Sequence, residues 1–99
     1  MKLEEQKETA RQFEELWKAL MPNSETPGPE QFLLWVGYHT PDVISLGINR
    51  AAAKRLRLLD TERPMTLDGV IRYASGVMRN VRNDLEAQRQ NESGQRRAA

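Results

Sequence analysis

Six cationic side chains recur at helical spacing, and they are the residues of this chain best suited to a chemical role. They form two sets whose members lie three, four or seven residues apart, so each set shares one face of a helix. The sets are Arg50, Lys54 and Arg57, and Arg72, Arg79 and Arg82. Guanidinium groups donate paired hydrogen bonds to phosphate or carboxylate oxygens. The pattern predicts a surface that binds an anionic partner, and the alternative is a solvated face that keeps the chain soluble.

If the two helices pack side by side, the two basic sets would merge into one surface that spans several phosphates. Tyr73 lies at the border between the apolar and basic faces of its helix, and we expect it to join that surface. Aromatic rings stack on bases in proteins that bind single strands. Tyr38 is a second candidate for partial exposure. The remaining aromatic residues lie on apolar stripes and are predicted to be core: Phe13, Trp17, Phe32 and Trp35.

Residues for catalysis do not assemble into a recognisable constellation. His39 is the sole histidine, and Ser45 and Ser75 have no evident base beside them. The chain has no cysteine, which removes disulfides, thiolate metal sites and cysteine nucleophiles. We therefore expect a protein without enzymatic activity, without a cofactor and without a metal.

Composition indicates one small polar domain. The chain has 99 residues, 38% of them hydrophobic, and a mean hydropathy of −0.72. No run approaches the roughly 20 apolar residues of a membrane span, and the charged segment 1–5 does not resemble a secretory signal. We expect a cytoplasmic protein with no membrane contact. Residues 1–30 carry four cations and seven glutamates, so the basic character lies in the rest of the chain.

The elements that would position these residues are four helices, and no strand is evident. The first helix is predicted at about 3–21, the third at 41–59 and the fourth at 67–89. The second is predicted to begin at 29 and to end between 37 and 39. Pro22 closes the first helix, Thr40 and Pro41 open the third, and Thr66 caps the fourth. The predicted fold is all-α, a small four-helix bundle. Its parts are an amphipathic N-terminal helix (1–22), a compact three-helix unit (29–90) and a disordered tail (91–99).

The fourth helix has a predicted apolar stripe, which Ile71 and Met78 flank. The stripe consists of Val70, Ala74, Val77, Val81 and Leu85. Small residues at 51–53 and 74–76 would let the third and fourth helices approach closely. Gly76 is predicted to serve that approach, and the alternative is a hinge or a ligand contact. In the first helix, an apolar seam that includes Leu3 and Leu20 either packs across the other helices or mediates a homo-oligomer.

The fourth helix also resembles a known family. Residues 73–81 are similar to the Tyr-x-x-x-Ile-x-x-x-Trp signature of the DnaD-type domain of primosomal and phage replication proteins. Tyr73 matches the tyrosine and Val77 the aliphatic position, whereas Val81 stands in place of the tryptophan. The order of the preceding helices is also similar, so the resemblance covers about residues 29–85. It implies a helical module that binds DNA and replication partners through the tyrosine helix and the basic segment after it.

Two functions follow as expectations. The first is a nucleic-acid-binding module, such as a helicase-loading replication accessory, whose partner is DNA, single strands included. The second is an adaptor whose arginine face meets an acidic protein, or whose first helix forms a dimer. Both use helix surfaces rather than a catalytic centre.

Overall fold

The computed structural model describes the backbone of residues 2–98 and the side chains of residues 2–90. It contains four helices: α1 (Leu3–Leu20), α2 (Pro29–Tyr38), α3 (Pro41–Leu58) and α4 (Leu67–Ala98). The described residues include no strand, so the predicted all-α four-helix fold is confirmed. The backbone of α4 continues beyond the predicted end near position 89. Disorder of the tail at 91–99 stays a prediction, because the side chains of that segment lie outside the described residues.

The helix starts follow local chemistry. Pro29 and Pro41 occupy first-turn positions of α2 and α3, where the missing N–H costs nothing. Thr66 caps α4 as predicted, since its Oγ1 accepts a hydrogen bond from the Gly69 N–H at 3.1 Å. Thr40 lies at the N-cap position of α3 but makes no capping hydrogen bond through its side chain.

Aromatic residues of α1 and α2 form the centre of the core. The Trp17 ring meets Phe32 edge-on at 6.0 Å and stacks on Trp35 at 6.2 Å, both favoured geometries. The Trp17 Nε1–H donates to the Glu25 carbonyl at 3.2 Å, which ties the α1–α2 connection to the core. Phe13 is buried beside them, so the four predicted aromatic core residues are confirmed.

Helix α1 packs across the other helices. Ala10, Phe13 and Trp17 are buried in the same core as residues of α2, α3 and α4. Leu3 and Leu20, the two ends of the predicted seam, are exposed. Most of the seam is therefore used within one chain, while self-association and the separate folding of residues 29–90 stay predictions.

Helices α3 and α4 run antiparallel in close contact. A Cβ atom built on Gly47 would lie 2.6 Å from Met78 Cγ and 3.0 Å from the Ala74 carbonyl oxygen, whereas one on Gly76 would meet nothing within 4 Å. The close approach was therefore assigned to the wrong glycine: Gly47 permits it, together with Ala51 and Ala74, which are fully buried. Gly76 points away from the contact because it lies two residues beyond Ala74 on the helix.

The buried face of α4 also differs from the predicted stripe. Val70, Ala74 and Met78 are buried, whereas Val77 is half-buried and Leu85 is 47% exposed. The buried set keeps an i, i+4, i+8 spacing, which is the row that one neighbouring helix covers. Every described side chain from Arg82 to Gln90 is exposed. The side chains of this part of α4 are therefore accessible for contacts outside the core.

Substitution by alanine should change the free energy of unfolding in opposite directions at the two glycines. Gly76→Ala should raise the free energy of unfolding by about 1 kcal/mol, because alanine favours a helix and the site is open. Gly47→Ala should lower it by about 1 to 2 kcal/mol, because overpacking against Met78 and the α4 backbone exceeds the same gain in helix propensity. Urea denaturation of both variants checks this, and an equal gain at both sites would contradict the close contact of α3 with α4.

Candidate functional site

A groove runs between the C-terminal end of α2 and the outer half of α4. It consists of two adjoining depressions of about 190 and 260 Å³ that share Tyr38, His39 and Arg82. We call it the α2–α4 groove. Its defining residues are Leu34, Tyr38 and His39 on the α2 side and Arg79, Arg82 and Arg89 on the α4 side. The combined volume of the two depressions lies in the lower part of the range of about 300–1,000 Å³ that is usual for ligand sites.

A hydrogen bond holds the two walls of the groove together. The Trp35 Nε1–H donates to Ser75 Oγ at 3.0 Å, which joins α2 to α4 at the floor. Trp35 is itself fixed in the aromatic core by Trp17 and Phe32. The α2 wall is therefore positioned by the most buried part of the protein, and binding there needs little ordering of the backbone.

The groove is positively charged. Arg79, Arg82 and Arg89 line it together with a single described carboxylate, that of Glu86. Glu86 Oε1 lies 3.6 Å from Arg82 Nε, and both side chains are more than half exposed. Exposed pairs of this kind contribute little stability, so an incoming anion can displace Glu86 from Arg82.

Apolar surface lies directly beside these cations. The Tyr38 side chain is 66% exposed and Leu34 is 53% exposed. Large apolar side chains left exposed next to one another are typical of contact surfaces rather than of an inert exterior. The groove therefore combines anion-binding groups with a flat ring and an aliphatic margin.

His39 lies where α2 passes into α3 and lines both depressions. Its Nδ1 atom is buried and has no hydrogen-bond partner. Burial lowers the pKa of His39 below its ordinary value of 6.5, and the positive charge of Arg82 lowers it further. The imidazole is therefore mostly neutral at pH 7, and its unpaired Nδ1 is enclosed by protein atoms rather than open to the groove.

Protonation of His39 should destabilise the fold. Because the pKa is lower in the folded state, the unfolded chain binds more protons below pH 6.5, and stability falls as the pH drops through that region. The stabilisation is fully present well above pH 6.5. Urea midpoints measured at about pH 7.5 and about pH 5.5 should differ less in His39→Gln than in the parent chain. Equal pH dependence in the two proteins would contradict this role of His39.

The basic set of α3, which contains Lys54, lies on the flank of α4 opposite the α2–α4 groove. Lys54 Nζ sits 4.3 Å from the centre of the Tyr73 ring, a cation–π contact between α3 and α4. Tyr73 and Ser75 are two residues apart on a helix and point about 200° apart. Since Tyr73 meets α3 and Ser75 meets α2, Lys54 and the α2–α4 groove lie on different flanks of α4. Merger of the two basic sets into one surface stays a prediction.

The seven predicted binding residues are thus divided. Arg79 and Arg82 line the α2–α4 groove. Lys54 and Tyr73 meet on the α3 flank, where Arg50 and Arg57 are exposed nearby on the same helix face. Arg72 is exposed and lies two turns before Arg79 on α4. The groove contributes residues that are absent from the predicted set, above all Leu34, Tyr38, His39 and Arg89.

The sequence held some signal for these additional residues. Tyr38 is an aromatic residue at a helix end, and Arg89 shares a helical face with Arg79 and Arg82. Their convergence depends on how α2 crosses α4, which the spacing within one helix does not specify.

The described part of the chain has no helix long and apolar enough to cross a membrane. Nor does it contain a group of three or more histidine or acidic side chains that could hold a metal ion. No family model, curated protein or solved structure matches this chain. The fold and the site define an all-α helical module with a basic, aromatic-edged groove.

Proposed function

We propose that this protein is a non-enzymatic nucleic-acid-binding module that contacts phosphates through arginine side chains of α4. The observation that carries the proposal is the convergence of three arginines and an exposed tyrosine ring on one groove. Cations that follow the backbone and rings that stack on bases are the usual combination in proteins that bind nucleic acid without sequence preference.

The basic residues of α3 extend the proposal. Arg50, Lys54 and Arg57 face away from the groove, so they would contact a second segment of the same nucleic acid rather than the segment in the groove. Most of the affinity should then depend on salt, because neutralised phosphates release counterions.

The proposal extends to a biological role: we propose that the protein acts in DNA replication as an accessory of the helicase-loading type. Its support is the resemblance of residues 73–81 to the DnaD-type signature. Tyr73 and Val77 are both half-buried on the α3 flank of α4. They would therefore support the helix pair that presents the basic residues, and Tyr73 would hold Lys54 in place.

An acidic protein is the second candidate partner. The exposed Leu34 and Leu85 side chains at the margins of the groove favour it, because a helix with acidic and apolar residues would satisfy both kinds of surface. In that case the protein would be an adaptor with the same groove and a different ligand.

Fluorescence anisotropy separates the two candidates. Labelled single- and double-stranded DNA are titrated with the protein at low salt, and poly-glutamate is then added as a competitor of matched charge. We expect saturable binding to DNA that poly-glutamate displaces only in large excess. Absence of DNA binding at low salt would overturn the nucleic-acid proposal and favour the adaptor.

A further inference from the structure

We propose that the α2–α4 groove is a binding site for single-stranded nucleic acid, in which an unpaired base stacks on Tyr38 and the backbone follows Arg79, Arg82 and Arg89. This inference rests on the proposed function and adds the strandedness of the ligand and the residue on which its base stacks.

The tyrosine ring is the argument for a single strand. Tyr38 is the most exposed aromatic side chain among the described residues, at 66%, and it borders both depressions of the groove. A base in a duplex has its faces covered by its neighbours, whereas an unpaired base offers a free face for stacking. An exposed ring beside cations is therefore suited to a strand whose bases are unpaired.

Tyr73 is less suited to the same task. Its ring is half-buried, and Lys54 already occupies a position 4.3 Å from its centre. Stacking of a base on that side of the ring would first have to remove the ammonium group. The two tyrosines therefore have different roles, and stacking is assigned to Tyr38.

The three groove arginines, Arg79, Arg82 and Arg89, span the length of a short stretch of nucleic-acid backbone. Arg79 and Arg89 are ten residues apart, which is about 15 Å along a helix axis. This corresponds to about four nucleotides at a rise of about 3.4 Å each, and to fewer in an extended strand. Arg82 lies between them and shares both depressions with Tyr38, so one nucleotide can meet the ring and a guanidinium together.

One further group at the groove has an interaction that a ligand would replace. Glu86 holds Arg82 through a weak, exposed pair. A phosphate would compete with that carboxylate for Arg82. Glu86 should therefore reduce the affinity of the protein for nucleic acid.

The test compares Tyr38 variants on three labelled 15-mers: oligothymidylate, an abasic strand and a duplex. Tyr38→Ala should weaken binding to oligothymidylate by about 5- to 150-fold, which is the usual contribution of one stacked base. Binding to the abasic strand should change less than twofold, and Tyr38→Phe should bind oligothymidylate like the parent. Because Tyr38 is largely exposed, the circular dichroism of both variants should match that of the parent.

Two charge variants complete the test. Glu86→Gln should raise affinity for oligothymidylate about two- to fivefold by freeing Arg82. Glu62→Gln, in the exposed loop between α3 and α4, raises the net charge by the same one unit at a residue that does not line the groove. It should raise affinity less than twofold.

The outcomes distinguish the inference from the proposed function. DNA binding that is insensitive to Tyr38→Ala, or that weakens equally on the abasic strand, would overturn the groove site while nucleic-acid binding stands. A duplex bound more tightly than oligothymidylate would overturn it as well. No binding to any of the three ligands would overturn both.

Discussion

Reversing the charge at Arg79 and Arg82 together, to glutamate, should lower affinity for single-stranded DNA by at least about 100-fold. In the proposed complex each arginine would donate hydrogen bonds to a phosphate, and such bonds contribute about 1.5–3 kcal/mol each. The two new carboxylates would also repel the backbone. Both side chains are exposed, so the helical circular dichroism should stay unchanged. Anisotropy titration of the double variant gives the loss directly.

The matched control reverses two charges on the other basic surface. Arg50→Glu with Arg57→Glu produces the same net charge, and both residues are exposed on α3. We expect its loss of affinity to be at least tenfold smaller, because those residues face away from the α2–α4 groove. Equal losses in the two double variants would mean that binding follows overall charge and not the groove.

Removal of the central aromatic ring should have the largest effect on folding. Trp17 is fully buried, and its ring contacts Phe32 and Trp35. A change of this kind costs about 3–5 kcal/mol, a large share of the 5–15 kcal/mol that stabilises a typical domain. Trp17→Ala should therefore be largely unfolded at 37 °C, and thermal melting followed by circular dichroism measures this.

Leu3 supplies the control for that prediction. It lies on the same helix and on the predicted apolar seam, but its side chain is 61% exposed. Leu3→Ala should change stability by no more than about 0.5 kcal/mol. If Trp17→Ala melts like Leu3→Ala, then α1 does not contribute to the core as described.

Local chemistry accounts for the parts of the fold that the sequence predicts well. Proline and threonine at helix starts, and an i, i+4 spacing of apolar residues, act within a few residues of one another. The predicted starts of α2, α3 and α4 are therefore those of the structure. The aromatic core is also predictable, because Trp17, Phe32 and Trp35 are large apolar residues in a chain with few alternatives.

Relations between helices account for the parts that the sequence predicts poorly. Spacing along α4 shows that Arg79 and Arg82 share a face, but not that α2 lies beside that face while α3 lies beside Tyr73. The role of Gly76 in packing was inferred without this information. The groove depends on a contact between residues 40 apart in the chain, from Trp35 to Ser75.

The most direct test of nucleic-acid binding through the groove is a salt series. Affinity for labelled oligothymidylate is measured by anisotropy at several salt concentrations, and log K is plotted against log salt. The three groove contacts, at Arg79, Arg82 and Arg89, should contribute about −2 to the slope, since each contact on a single strand contributes about −0.7. Arg79→Gln with Arg82→Gln should make the slope about 1.4 units less negative. A slope that is the same in the parent and the variant, or no binding at low salt, would contradict a groove that binds the phosphate backbone.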